Sequence, residues 1–127
     1  MTTRRLHMTE SQEQTAVFRW AALAMNRWPE LFFLHHVPNG GSRYPIEAVN
    51  LKRQGVKRGV PDICLPCARG GYQGLYIELK AQHGRVSPEQ SMWLEHLRAA
   101  GYRAEVAFGA EQAISILTQY LTAERAI

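Results

Sequence analysis

The sequence predicts an α/β fold, a small mixed α+β sheet covered by helices, in the order helix, strand, helix, strand, strand, helix, strand, helix. Three features predict it. Two boxes of Ser or Thr followed three residues later by Gln, at Thr9 and Gln12 and at Ser87 and Gln90, each head an amphipathic stretch. Two apolar runs flank Ala68-Arg69-Gly70-Gly71-Tyr72, whose glycine pair suits a hairpin turn. An alternating run over residues 102–108 leads into apolar residues at helical spacing.

Thr9 opens the first helix, its hydroxyl placed to accept from the Gln12 amide while the Gln12 side chain reaches back. The helix is expected to run to Trp28, where Pro29 closes it, with Val17, Trp20, Ala21, Ala24 and Trp28 on one face. Continued towards the N-terminus, that stripe takes in Gln14, Glu13 and Glu10. Leu31-Phe32-Phe33-Leu34-His35-His36 is an apolar run of strand length, and Pro38-Asn39-Gly40-Gly41-Ser42-Arg43 is a loop. Pro45 can start a short second helix to about Arg53, with Gly55 as its stop.

Residues 62–67 and 74–80 read as the two strands of the hairpin. Centred on Gly70, it sets Asp62 opposite Glu78. The side-chain period of two then places Glu78 and Lys80 on one face and Leu79 on the other. Ser87 caps a third helix with Pro88 at its first position, Trp93, Leu94 and Leu97 on its apolar face and Gly101 at its end. Tyr102, Ala104, Val106 and Phe108 form the apolar side of the last strand. Ala110, Ala113, Ile114, Leu117 and Leu121 form the stripe of the last helix, and one core accounts for all four helices.

A chain of 127 residues, 46% hydrophobic and 20% charged, fits one domain, expected over residues 9–127 behind a tail of residues 1–8. No stretch has the pattern of a signal peptide or the length to span a membrane. A cytoplasmic location is expected, with Cys64 and Cys67 reduced. Those two form a Cys-x-x-Cys, but in a strand positions three apart face opposite ways, and His35, His36, His83 and His96 lack finger spacing; they read as structural cysteines. Fifteen Lys and Arg against eleven Asp and Glu give a net charge of +4, which suits a polyanionic partner. Lys52, Arg53, Lys57 and Arg58 cluster just before Gly59-Val60-Pro61-Asp62, where they can meet phosphates.

Asp62, Glu78 and Lys80 carry the chemistry. Two converging carboxylates are hard oxygen ligands that suit Mg²⁺, and a backbone carbonyl near Leu79 can add another. Hydrolysis of a phosphodiester needs an activated water, neutralised phosphoryl oxygens and a stabilised leaving group, all within reach of divalent metal chemistry. Lys80 can orient or deprotonate the water, or offset charge on the phosphate. An acid at the head of the first helix, Glu10 or Glu13, can join them. Each of these also has a plain structural reading: a solvated strand face, a helix-dipole partner, or for Gln90 a capping residue.

In this order the motifs identify a family. Glu10 with Gln14, His36 to Gly41, Leu51 to Gly55, Gly59-Val60-Pro61-Asp62, Glu78-Leu79-Lys80, Ser87-Pro88-Glu89-Gln90 with Trp93, and Gly101-Tyr102 resemble the VRR-NUC (virus-type replication-repair nuclease) domain of the PD-(D/E)xK superfamily. The resemblance implies a restriction-endonuclease-like fold, a catalytic set of Asp62, Glu78, Lys80 and Gln90, and Mg²⁺ or Mn²⁺ held by Glu10, Asp62, Glu78 and Leu79. Related nucleases often carry a tyrosine four residues after that glutamine, where Leu94 stands here. Asn39 and Arg43 join Lys52, Arg53, Lys57 and Arg58 as expected DNA contacts. Small stand-alone members resemble phage or bacterial proteins that act as homodimers on branched DNA such as Holliday (four-way) junctions. Flap or nick cleavage, and an idle DNA-binding module, are the competing expectations.

Overall fold

The computed structural model describes residues 8–38 and 44–124. Helix α1, Glu10–Ala24, begins with the expected box: the Gln12 N–H donates to the Thr9 hydroxyl at 3.1 Å, and the Thr9 N–H to the Gln12 side-chain Oε1 at 2.9 Å. It ends four residues short of the expected Trp28. The residue before a proline is pushed out of helical geometry, and Trp28 accordingly has φ −124° and ψ 88°. Its ring instead tilts against Trp20, with centroids 6.3 Å apart.

The expected strand over residues 31–36 is mostly a 3-10 helix, Pro29–Phe33, leaving only His35–His36 as strand β1. Leu31 and Leu34 decide this. Three apart, they are 2% and 7% exposed, while Phe32 and Phe33 are 71% and 60% exposed. A period of three suits the turn that Pro29 opens, and the burial follows it. Helix α2, Pro45–Arg53, forms as expected and ends before Gly55, but none of its residues is buried.

Strands β2, Ile63–Leu65, and β3, Leu75–Lys80, pair antiparallel with Ile63 opposite Ile77 and Leu65 opposite Leu75. That is the register of a hairpin centred on Gly70. Strand β2 is shorter than expected because Pro61 and Pro66 bracket it and neither has an N–H to donate. The turn runs Arg69-Gly70-Gly71-Tyr72, with φ of +56° and +86° at the two glycines. Helix α3, Pro88–Ala99, crosses over to strand β4, Arg103–Phe108, which runs parallel to β3. Helix α4, Ala110–Thr122, follows. The sheet order is β1-β2-β3-β4.

The expected single core is two clusters, one on each side of the sheet. The larger joins Val17 and Ala21 of α1, Leu31, Ile63, Leu65, Leu75, Ile77, Leu79, Ala107 and the α4 residues Ala113, Leu117 and Tyr120. The smaller joins Leu94, Leu97 and Ala104, with Tyr76, Trp93, Tyr102 and Val106 packed against them. Phe108, expected on the apolar side of β4, is 41% exposed at the strand's end. The alternation of β3 therefore sends Leu79 into the larger core and Glu78 and Lys80 to the side that α3 covers.

The hairpin turn is anchored by charge. Arg69, only 6% exposed, pairs with Glu30 and donates to the Ala68 carbonyl, and the Gly70 N–H donates to the Glu124 carbonyl. Removing one partner leaves a buried guanidinium short of an acceptor. Glu30→Ala should lower stability by about 1–3 kcal/mol, measured by urea unfolding; a loss within about 0.5 kcal/mol, as for an ordinary surface change, would contradict this account.

Candidate active site

Asp62 enters the site from the loop between α2 and β2. Gly59 has φ +89°, and a Cβ there would stand 2.7 Å from the Glu89 backbone carbon, so the loop lies flat on the first turn of α3. Beyond it, Asp62 is bound on two sides. Its carbonyl accepts from the Val37 N–H at 2.7 Å and from His36 Nδ1 at 2.8 Å, while its Oδ2 accepts from the Leu79 N–H at 2.8 Å. The residue is thus fixed to the β1 side through its backbone and to β3 through its carboxylate, and is 5% exposed.

Glu78 is fully buried beside it. Its Oε2 lies 3.6 Å from Lys80 Nζ and accepts from Gln90 Nε2 at 3.3 Å. Gln90 also completes the capping box of α3, accepting from the Ser87 N–H at 2.8 Å. This glutamine thus caps the helix and contacts Glu78 at once. Lys80 is 7% exposed because the 81–84 turn closes on its stem, where a Cβ on Gly84 would come within 3.1 Å of the lysine chain.

Glu10 supplies the third acid. Carboxylate oxygens of Glu10, Asp62 and Glu78 lie within 4.8 Å of one another, the one such acidic, His or Cys cluster among the described residues. Glu13, the alternative, sits apart: its Oε2 would lie 2.8 Å from a Cβ on Gly109, the residue that begins α4. Leu79 contributes its N–H to Asp62, and its side chain is fully buried.

The electrostatics follow from this crowding. Burial, then the neighbouring Asp62 carboxylate, push the Glu78 carboxyl up to about 8 against the opposing pull of Lys80. Burial and the Asp62 charge also raise Glu10, again opposed by Lys80. Among the described residues, the buried Oε1 of Glu78 has no hydrogen-bond partner. Three hard oxygen donors and an orphaned carboxylate oxygen at one point fit a divalent cation.

The basic candidates among the described residues are on the surface. Lys52 and Arg53 lie exposed in the last turn of α2, and Lys57 and Arg58 are exposed beyond it. Arg58 lines an open cleft with Glu89, Met92, Trp93 and His96. Asn39 and Arg43 lie outside the described residues, as does the expected N-terminal tail apart from Met8. Cys64 and Cys67 are not joined by a disulfide; Cys64 pairs with Tyr76 across the hairpin and Cys67 packs on the larger core, on opposite sides of the sheet. Sequence reasoning missed the close approaches at Gly59 and Gly84. Nothing in either local motif names the distant partner.

The profile of the VRR-NUC domain matches residues 5–111. The chain belongs to the VRR-NUC domain family. A solved structure described as a VRR_NUC domain protein is 34% identical and superposes with a TM-score of 0.81, over 95% of this chain and 94% of that one. No curated protein matches the chain. Membership makes this VRR-NUC domain a nuclease of the PD-(D/E)xK type, with DNA as its class of substrate. Among its described residues no helix is long and apolar enough to cross a membrane.

The raised Glu78 carboxyl has a consequence for stability. Folded, it keeps its proton up to about 8, whereas a carboxyl of ordinary value 4.5 loses it far earlier. Between those values the folded state binds more protons, so the metal-free VRR-NUC domain loses stability as pH rises through that window. Melting temperatures in EDTA should fall from about pH 5.5 to about pH 7.5, and Glu78→Gln should flatten the slope. An equal slope in the variant would assign the effect to another group.

Proposed function

We propose that this VRR-NUC domain is a metal-dependent, structure-specific endonuclease that hydrolyses phosphodiesters in branched DNA, most specifically Holliday (four-way) junctions, as a homodimer. The observation that carries the hydrolytic part is the buried Oε1 of Glu78, without a hydrogen-bond partner among the described residues and set with Asp62 and Glu10 around one point. Glu10, Asp62, Glu78 and the Leu79 carbonyl are the proposed ligands of Mg²⁺ or Mn²⁺. Bound there, the ion supplies Lewis acidity towards the phosphoryl oxygens and water of lowered pKa.

The protein's own groups do the positioning. Lys80, held beside Glu78 on the same strand face, orients the attacking water and offsets charge developing on the phosphate. Gln90 holds Glu78 Oε2 in place. Lys52, Arg53 and Lys57, with Asn39 and Arg43, engage the flanking phosphates and set the register of the strand on the site, and Arg58 contacts the same DNA beside α3. Residues 9–127 act as one nuclease domain, in the cytoplasm. A four-way junction has two equivalent strands to cut, and a two-fold dimer presents two sites in the matching symmetry.

A substrate panel tests this. Four-way junction, 5′ flap, nicked duplex and linear duplex are incubated with Mg²⁺, Mn²⁺ or EDTA, and the mass of the protein in solution is measured alongside. Paired symmetric nicks in the junction, metal dependence and a dimeric mass are expected. Asp62→Ala and Lys80→Ala should each lower cleavage by at least about 10²-fold while leaving DNA binding in EDTA largely intact. Variants that cut as well as the parent would remove the assignment of these residues, and a preference for the flap would replace the junction as substrate.

A further inference from the structure

The second feature of the α3 side is the cleft of about 460 Å³ lined by Arg58, Glu89, Met92, Trp93 and His96. Its size lies within the range of small-molecule sites. Glu89, Met92, Trp93 and His96 are spaced i, i+3, i+4, i+7, so they form one stripe of the helix. This stripe lies beside the one that carries Gln90, Leu94 and Leu97 into the site and the smaller core. The close approach of Gly59 to the Glu89 backbone brings Arg58 over the stripe from the other side.

The chemistry of the lining selects its occupant. Met92 is 68% exposed and Trp93 half-buried, which leaves a thioether and part of an indole facing the cleft. An apolar, polarisable floor of this kind suits a flat aromatic ligand. Phosphate is a poor match, because the Glu89 carboxylate offsets the Arg58 guanidinium in the same lining. Around a nucleobase the two become useful together, Arg58 as a donor and Glu89 as an acceptor for its edge.

Position selects the nucleotide. Trp93 is three residues from Gln90, about 4.5 Å of helix rise, and Gln90 donates to Glu78. The same helix therefore carries, within one turn, both the contact to Glu78 and the indole at the cleft, which sets the cleft beside the carboxylate site. A paired base offers no free face to a tryptophan, whereas an unpaired one does. We infer that the cleft between Arg58 and the Glu89-Met92-Trp93-His96 stripe is a subsite for an unpaired nucleobase next to the phosphodiester held at the carboxylates. This rests on the nuclease reading for its substrate, and it gives that nuclease a local requirement: a base free to leave the stack beside the cut.

Binding without cleavage tests it. Fluorescence anisotropy in EDTA compares a labelled single strand of about ten nucleotides with a blunt duplex of the same sequence, for the full chain and three variants. Trp93→Leu keeps apolar volume but removes the ring face, Trp93→Phe keeps a ring, and Met92→Asp places a charge in the cleft at an exposed position. Trp93→Leu and Met92→Asp should each weaken single-strand binding about tenfold, with duplex binding within about twofold and Trp93→Phe close to the parent. Parent-like binding by Trp93→Leu, an equal fall for Leu and Phe, or an equal fall for single strand and duplex would overturn the subsite. Should Trp93→Leu fail to fold, judged by its melting curve, Met92→Asp decides alone. The parent's metal-dependent cleavage is scored separately: cutting with no Trp93 effect sinks the subsite and leaves the nuclease, and selective single-strand binding without cutting does the reverse.

Discussion

A carboxylate with no exposure to solvent is the constraint around which this fold is arranged. Glu78 sits on a central strand next to Asp62, with Glu10 a few ångströms away. Burying such a group charged costs several kcal/mol unless it is paired, even after local relaxation. Lys80 and Gln90 offset part of that cost through Oε2, and Oε1 is left without a donor among the described residues. A cation completes the balance better than any rearrangement of these side chains. The same imbalance makes the cluster compatible with a divalent ion and keeps the Glu78 carboxyl raised.

How far the sequence revealed this differs from element to element. The hairpin was legible because Gly70 and Gly71 allow positive φ on both central residues, which fixes the register and so sets Asp62 against Glu78. Both capping boxes were legible for a similar reason: their partners are three residues apart and need no tertiary help. Residues 31–36 misled because a six-residue apolar run carries no clear period, and Pro29 favoured a turn. The choice between Glu10 and Glu13 could not be made locally. It depends on the start of α4, whose cap residue Gly109 lies against Glu13.

The close approaches explain what remained hidden. Gly59 against Glu89 and Gly84 against Lys80 each join segments that the sequence treats as separate. A glycine before a proline-containing strand looks like a turn residue. Only the packed structure shows that any side chain at Gly59 would lift the loop that delivers Asp62 off the helix that delivers Gln90. Arg69 behaves likewise: it stands in a turn, and Glu30 draws it inward from a segment nearly forty residues away.

Two cores of unequal size divide the work. The larger holds α1, α4, the 3-10 turn and one side of the sheet, and it contains most of the fully buried side chains. The smaller, built on Leu94, Leu97 and Ala104, does little more than seat α3. Yet α3 carries Gln90 to Glu78 and backs the Gly59 loop that leads to Asp62. Loosening the smaller core therefore moves groups on two sides of the carboxylate cluster while leaving the larger core packed. The larger core seats Glu10 through α1 and Asp62 through Leu79, while the smaller seats Gln90 through α3, so the carboxylate cluster is the point at which the two cores meet in effect.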